Sequence, residues 1–213
     1  MNPFVYPKSR HQRSQNPRPY KDYRSYKPYL RDEFSGQCVY CRLPDAIKGE
    51  ETFGADHYRP QRKFPHLSSE YLNLYYACNR CNSNKSDFWP TERELTDGQF
   101  VPNPCEHIMF EHLRYKGEIV VSHSSTGTWA IELLDLNEDK IIEFRKIIIA
   151  TIKLLVGKID ESERILAGIA SRVATAQSPD ELSELLDTRA DLMHDIGEFK
   201  LALHAFAGNY VQI

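Results

Sequence analysis

Four cysteines and a handful of polar residues between and after them carry the chemistry of this chain. Cys38-Val-Tyr-Cys41 and Cys78-Asn-Arg-Cys81 are C-x2-C pairs separated by 36 residues. Each pair makes a tight turn that aims two thiolates at one point, and two such turns complete the tetrahedral shell that zinc prefers. Four protein ligands leave no position for water, so this zinc is structural and clamps the two ends of the intervening segment. Inside the clamp and just beyond it lie Asp56, His57, Arg59, Asn82 and Lys85. Asp56 offers a hard oxygen ligand and Asn82 a neutral one. So sparse a set suits magnesium, with manganese as an alternative, because that ion keeps its waters and binds phosphate oxygens. His57, pointing the other way on a strand, is placed to take a proton from an attacking water. Arg59 and Lys85 are placed to hold the phosphate. Together these parts describe metal-assisted hydrolysis of a phosphodiester.

The elements that must position them follow from local pattern. TFGADHY reads as an extended stretch ending at Asp56-His57, closed by the proline of Arg59-Pro60. Tyr71-Leu-Asn-Leu-Tyr-Tyr-Ala-Cys reads as a second extended segment that runs into the second cysteine turn. That turn opens a short helix with Asn79 as its cap, on which Asn82 and Lys85 share a face. Strand, strand and helix converge once the cysteine pairs are clamped. Further on, residues 113–134 read as a scaffolding hairpin of two β-rich runs around a Ser/Thr/Gly turn. From Asn137 the period becomes helical: Ile141, Phe144, Ile148, Ile152, Leu155 and Ile159 form a stripe continued by Leu166, Ile169 and Val173, with breaks expected near Gly157 or Gly168. Ser178-Pro-Asp-Glu181 reads as a capping box with proline at the first helical position. A second stripe follows through Leu182, Leu185, Leu192, Ile196, Phe199, Leu203 and Phe206. The two helices make an antiparallel hairpin whose apolar faces serve either the chain's own core or a docked partner or second copy.

The 213 residues, 24.7 kDa, suffice for one domain or one domain with a smaller module. With 41% hydrophobic residues, 27% charged residues and a mean hydropathy of -0.55, the chain can bury a core and should be soluble. The longest apolar candidate, IIIATIKLLV at 147–156, falls well short of the ~20 residues a membrane span requires. The start MNPFVYPKSR lacks the apolar stretch of a signal peptide, so the cytoplasm is expected. Five cysteines cannot all pair as disulfides, which again favours metal. The net charge of -3 hides an asymmetry. Residues 1–31 carry eight Lys/Arg against one acid, residues 32–90 seven against eight, and residues 91–213 twelve against twenty-one. The basic N-terminal segment sets Tyr20, Tyr23, Tyr26 and Tyr29 among Lys21, Arg24, Lys27 and Arg31, a pattern that either contacts nucleic acid or forms a solvated, partly disordered tail whose tyrosines, at steps of three, pack on the body of the protein. Cys105 reads as a small buried hydrophobe, His107 and His112 as ordinary polar positions, and His66 as either a substrate contact or an ordinary position.

The order Cys-x-x-Cys, Asp-His-x-x-Pro, Asn-Leu, Cys-x-x-Cys-Asn-x-x-Lys resembles the zinc-bearing HNH endonucleases of the ββα-metal fold. The resemblance implies that His57 is the general base, Asp56 a metal ligand, and Asn73 the middle residue that orders the loop and orients the base. The third family position, usually His, is Asn82, which makes this an H-N-N version. More loosely, YRSYKPYLRDEFSGQCVYC, FVPNPCEHIMFEHLRYKGEIV and WAIELLDLNEDKIIEFRK resemble the HNH nuclease subunits of Septu-type and retron-associated anti-phage systems, which accompany an ATPase.

The expected architecture is α+β, in four parts. A basic Tyr-rich arm (1–31) leads into a zinc-clamped ββα HNH module (32–100), then a small β/loop segment (101–136) and a C-terminal helical region (137–213). The expected function is that of a magnesium-dependent HNH endonuclease cutting DNA, with RNA also open, acting in anti-phage defence with an ATPase partner bound through the C-terminal helices. A homo-oligomer is the other assembly considered. The alternative function is a catalytically silent, zinc-stabilised nucleic-acid-binding or interaction subunit.

Overall fold

The computed structural model describes residues 2–207. Two compact units divide between Lys146 and Ile147. In the first, short helices α1 (Lys27–Glu33) and α2 (Asp45–Lys48) precede strand β1 (Phe53–His57). Strand β2 (Leu74–Cys78) and helix α3 (Asn79–Lys85) follow, then α4 (Glu92–Thr96), α5 (Met109–His112), β3 (Leu113–Lys116), β4 (Ile119–Ser122) and α6 (Ser125–Leu133). The helix α7 (Asp139–Val173) runs past the division, and α8 (Pro179–Ala207) completes the second unit. Among the described residues no helix is long and apolar enough to cross a membrane.

The antiparallel pair β1–β2, with Asp56 opposite Tyr75 and His57 opposite Leu74, is the frame of the site. LYYAC is rich in aromatic strand formers and buried along its whole length. Its two faces pack separately: Phe34 stacks on Tyr75 at 5.7 Å and Phe53 on Tyr76 at 5.2 Å. Helix α3 starts directly from the end of β2, with Cys78 as the extended cap residue and Asn79, expected as the cap, already inside the helix.

The N-terminal segment is no free arm. Phe4, Tyr6, Tyr26 and Leu30 are buried. Glu33 gathers the segment by accepting from His11 Nε2 at 2.7 Å, the Ser14 and Gln15 amides at 2.8 and 2.9 Å, and the Tyr71 hydroxyl at 3.2 Å. Arg13 lies over the rings of Phe34, Tyr71 and Tyr75 and donates to the Leu74 carbonyl at 2.7 Å. The segment is irregular up to Tyr20 and helical from Tyr23, with Pro28 in the first turn of α1, and it buries its aromatic residues against the rest of the unit although it has no core of its own.

The expected 113–134 hairpin is shorter. β3 and β4 turn at Gly117, whose φ of 62° suits glycine, and the Ser/Thr/Gly run is the start of α6, where Ser124 Oγ accepts the Gly127 amide at 3.0 Å. In the second unit α7 is continuous through Gly157 and Gly168. Lys200 pairs with Glu163 at 3.0 Å and Arg172 with Glu181 at 3.9 Å, so α7 and α8 run antiparallel. Ser178 Oγ accepts the Glu181 amide, while the Glu181 carboxylate returns to the Gln177 amide rather than to that of Ser178. Ile159 and Ile169 of α7 and Leu185, Ile196 and Leu203 of α8 are buried.

Candidate active site and cysteine cluster

Cys38, Cys41, Cys78 and Cys81 are all buried, with their sulfurs within 4.8 Å of one another. The Cys41–Cys78 separation is 3.7 Å, and a tetrahedron with ~2.3 Å zinc–sulfur bonds has an edge of about 3.8 Å. Burial pushes the Cys38 thiol up in pKa, whereas Cys38 and Cys41 push Cys78 down through hydrogen bonds to its sulfur. Four thiols in this geometry share protons that one cation can replace, so the residues fit zinc. The first turn is built for this. Arg42, at φ 54°, reverses the chain while its amide donates to Cys38 O, and the Val39 amide donates to Tyr76 O at 3.0 Å, fixing the turn to β2. Two distant hydroxyls hold it from outside: Tyr6 donates to Tyr40 O at 2.7 Å and Tyr115 to Cys41 O at 2.8 Å. Burial raises the pKa of both, which keeps them as donors. Cys105 lies outside the cluster.

On β1, Asp56 and His57 face opposite ways, as alternation requires. Asp56 is 2% exposed; its Oδ2 accepts the Tyr40 hydroxyl at 2.6 Å and its Oδ1 the Lys85 ammonium at 2.9 Å. Lys85 is also 2% exposed and donates to His57 O at 2.7 Å. Lys85, expected on the substrate phosphate, instead gives its ammonium to Asp56 and the His57 carbonyl and braces α3 against β1 from inside. Burial, and then the Asp56 carboxylate, hold the Tyr40 hydroxyl far above its ordinary pKa, so it remains a donor. Each Asp56 oxygen has one protein donor and retains a lone pair, the usual state of an oriented metal ligand. Asn82, half-buried, lies three residues before Lys85 and on its face of α3. The pair fits magnesium only sparsely, because the Lys85 ammonium already neutralises the single carboxylate. Such a site fills together with an anionic phosphate rather than before it.

His57 is half-buried, and its Nε2 lies 2.9 Å from Ser68 O. A carbonyl only accepts, so Nε2 carries the proton and Nδ1 presents its lone pair. The Tyr23 ring packs edge-on against the imidazole, centroids 4.5 Å apart. Asn73, 7% exposed, uses its whole amide on backbone: Oδ1 accepts the Arg59 amide at 2.9 Å and Nδ2 donates to Arg59 O at 3.0 Å and Leu67 O at 3.4 Å. It thus ties the end of β1 to the loop whose next carbonyl holds His57. Arg59 is exposed, lies 5.6 Å from the Trp89 ring, and borders a cleft of about 340 Å³ with Tyr58, Phe100 and His107. His66 is exposed in the loop turn Pro65–Leu67. His107 and His112 pack at Phe100, and burial lowers the pKa of both. Two residues of the site carry no motif of their own in the sequence, Tyr40 inside the first C-x2-C and Ser68, while Tyr23, read as part of the basic Tyr-rich segment, lies against His57.

No solved structure matches the chain significantly. The chain shares 27% identity over 131 residues with the Septu protein PtuB of Bacillus thuringiensis, covering 59% of this chain and 48% of that protein. The chain thus spans about half the length of this curated relative. The segment from the first cysteine pair through α3, residues 38–88, matches the HNH endonuclease family. With its cysteine cluster, β1–β2 pair and α3 in that order, this segment is similar to the HNH endonuclease family.

Proposed function

We propose that this protein is a metal-dependent HNH nuclease that hydrolyses phosphodiester bonds in DNA, or in RNA, as an effector of anti-phage defence. The observation that carries the reading is the state of His57: on β1 of the family-matched segment, with Nε2 committed to Ser68 O and Nδ1 left as an acceptor. His57 takes a proton at Nδ1 from an attacking water, whose oxygen bonds to phosphorus as the bond to the leaving oxygen breaks. Asn73 keeps the loop that holds the imidazole in register, and Arg59 binds a phosphate oxygen. Magnesium held by Asp56 and Asn82 supplies charge stabilisation at the phosphate when bound. The zinc on the four cysteines is structural.

The test is incubation of purified protein with plasmid DNA and with short RNA, in magnesium or chelator, beside His57→Ala. The variant should cut about 10²-fold more slowly or worse with nucleic-acid binding retained; cutting at the wild-type rate overturns the assignment. The second reading, a silent zinc-stabilised binding module, draws on the engagement of both Asp56 oxygens. Binding without magnesium-dependent cutting of either substrate would select it.

The likeness to a Septu protein supports an ATPase partner, and the C-terminal unit offers a surface for one. Leu182, Leu186 and Met193, at helical spacings of four and seven, are exposed on α8, as are Leu154 and Ile165 on α7. Of the second stripe, Ile196 and Leu203 are buried and Leu192 and Phe199 half-buried, so these positions serve the unit's own packing. Leu186→Asp with Met193→Asp should abolish assembly without unfolding; intact assembly removes this surface from consideration.

A further inference from the structure

We infer that the N-terminal segment completes the nuclease site: Tyr23 positions the His57 imidazole, and Lys21 and Arg24 bind a phosphate of the nucleic-acid strand beside it. The inference rests on the reading of His57 as the base. The imidazole is held from two sides, by Ser68 O at 2.9 Å and by the Tyr23 ring at 4.5 Å and 65°. The next residue, Ser69, donates its hydroxyl to Lys21 O at 2.7 Å. One dipeptide therefore carries both the bond to the base and the bond to the segment that delivers Tyr23.

That segment is rigidly seated. Asp22 caps the 3-10 turn Tyr23–Tyr26 by accepting the Arg24 amide at 3.0 Å, and Tyr26, 2% exposed, packs against Tyr71 at 5.3 Å. Its buried end fixes the turn, so the ring of Tyr23 has a defined place rather than a range of them. The cations two residues before and one residue after Tyr23 in the chain remain in solvent. Lys21 and Arg24 are exposed, and the Arg24 guanidinium lies 5.7 Å from the Tyr23 ring. Arg13, Lys27 and Arg31 of the same segment are otherwise engaged, at Leu74 O, Glu50 O and Asp45. Lys21 and Arg24, exposed and flanking Tyr23 in the chain, are thus the cations of this turn available to a phosphate. Arg24 lies against the ring that lies against His57, and it is assigned to the scissile phosphate or its neighbour.

The test compares wild type with Tyr23→Ala, Tyr23→Phe, Lys21→Ala and Arg24→Ala on the better of the plasmid and RNA substrates. Tyr23→Ala should lower kcat by about 10- to 100-fold with KM within about 2-fold, since a small misplacement of a reacting group costs rate rather than binding. Tyr23→Phe, which keeps the ring, should restore kcat. Lys21→Ala and Arg24→Ala should raise KM and each make the salt dependence of binding shallower by about one unit. The His57 imidazole resonance, assigned with His57→Ala, should shift and broaden in Tyr23→Ala and stay in place in Tyr23→Phe. Wild-type kcat and an unmoved resonance in Tyr23→Ala, or unchanged KM and salt slopes in both cation variants, overturn the inference. If wild type fails to cut either substrate, the nuclease reading fails instead, and the resonance and binding slopes still decide this one.

Discussion

Replacing Lys85 with methionine keeps most of the side-chain volume and removes the ammonium that the Asp56 carboxylate and the His57 carbonyl share. Both partners of the ion pair are 2% exposed and 2.9 Å apart. Without Lys85, Asp56 keeps one donor, Tyr40, and its charge is buried without a counter-ion. Breaking a buried pair from one side costs about 3–5 kcal/mol. At roughly 2–4 °C per kcal/mol for a chain of this size, the midpoint of thermal unfolding should fall by about 6–20 °C. A lysine serving a phosphate from the surface would cost less than ~0.5 kcal/mol, a degree or two. Circular dichroism melts at neutral pH, with zinc content measured below the transition, separate the two. Adding Asp56→Asn to Lys85→Met removes the stranded charge and should recover part of the loss. A midpoint within 2 °C of wild type for Lys85→Met, or a double variant no more stable than the single one, refutes the buried-pair argument.

Elemental analysis of freshly purified protein should find about one zinc per chain, and Cys38→Ser or Cys81→Ser should lose zinc and stability together; metal-free protein of unchanged stability counts against the clamp. Seating of the N-terminal segment should depend on pH through Glu33. Burial pushes its carboxyl up, but the Ser14 and Gln15 amides and His11 pull it further down, to below its ordinary 4.5. A carboxylate depressed in the folded state stabilises fully above its unfolded pKa, so the seating should hold above about pH 4.5 and weaken as pH falls through the lower folded value. Amide protection of Ser14 and Gln15, corrected for intrinsic exchange, should follow that course in wild type and lose it in Glu33→Gln. Deleting residues 1–31 should destabilise the first unit, since it strips Phe4, Tyr6, Tyr26 and Leu30 from the core; a deletion variant that melts like wild type contradicts this.

The cysteine spacing, the Asp56-His57 order and the helical stripes are local properties, and the sequence alone was enough to determine them. Each C-x2-C pair brings its two sulfurs together through its own turn, whereas the bonds that hold the first turn in place come from Tyr76, Tyr6 and Tyr115. A stripe at steps of three and four can bury only one face, and Ile141, Ile148, Ile152, Ile159 and Ile169 are buried accordingly. The partners of the polar residues were decided by tertiary structure. Lys85 reads as a cation beside an active site, and only the packing of α3 on β1 turns it inward onto Asp56. The basic N-terminal stretch reads as a tail because its composition supports no core of its own. A buried glutamate eighteen to twenty-two residues away, and aromatic residues as far off as Tyr71 and Tyr115, give it a surface to lie on. Contacts of that kind depend on which surfaces the fold brings within a few ångströms, and no periodicity or spacing along the chain encodes that distance.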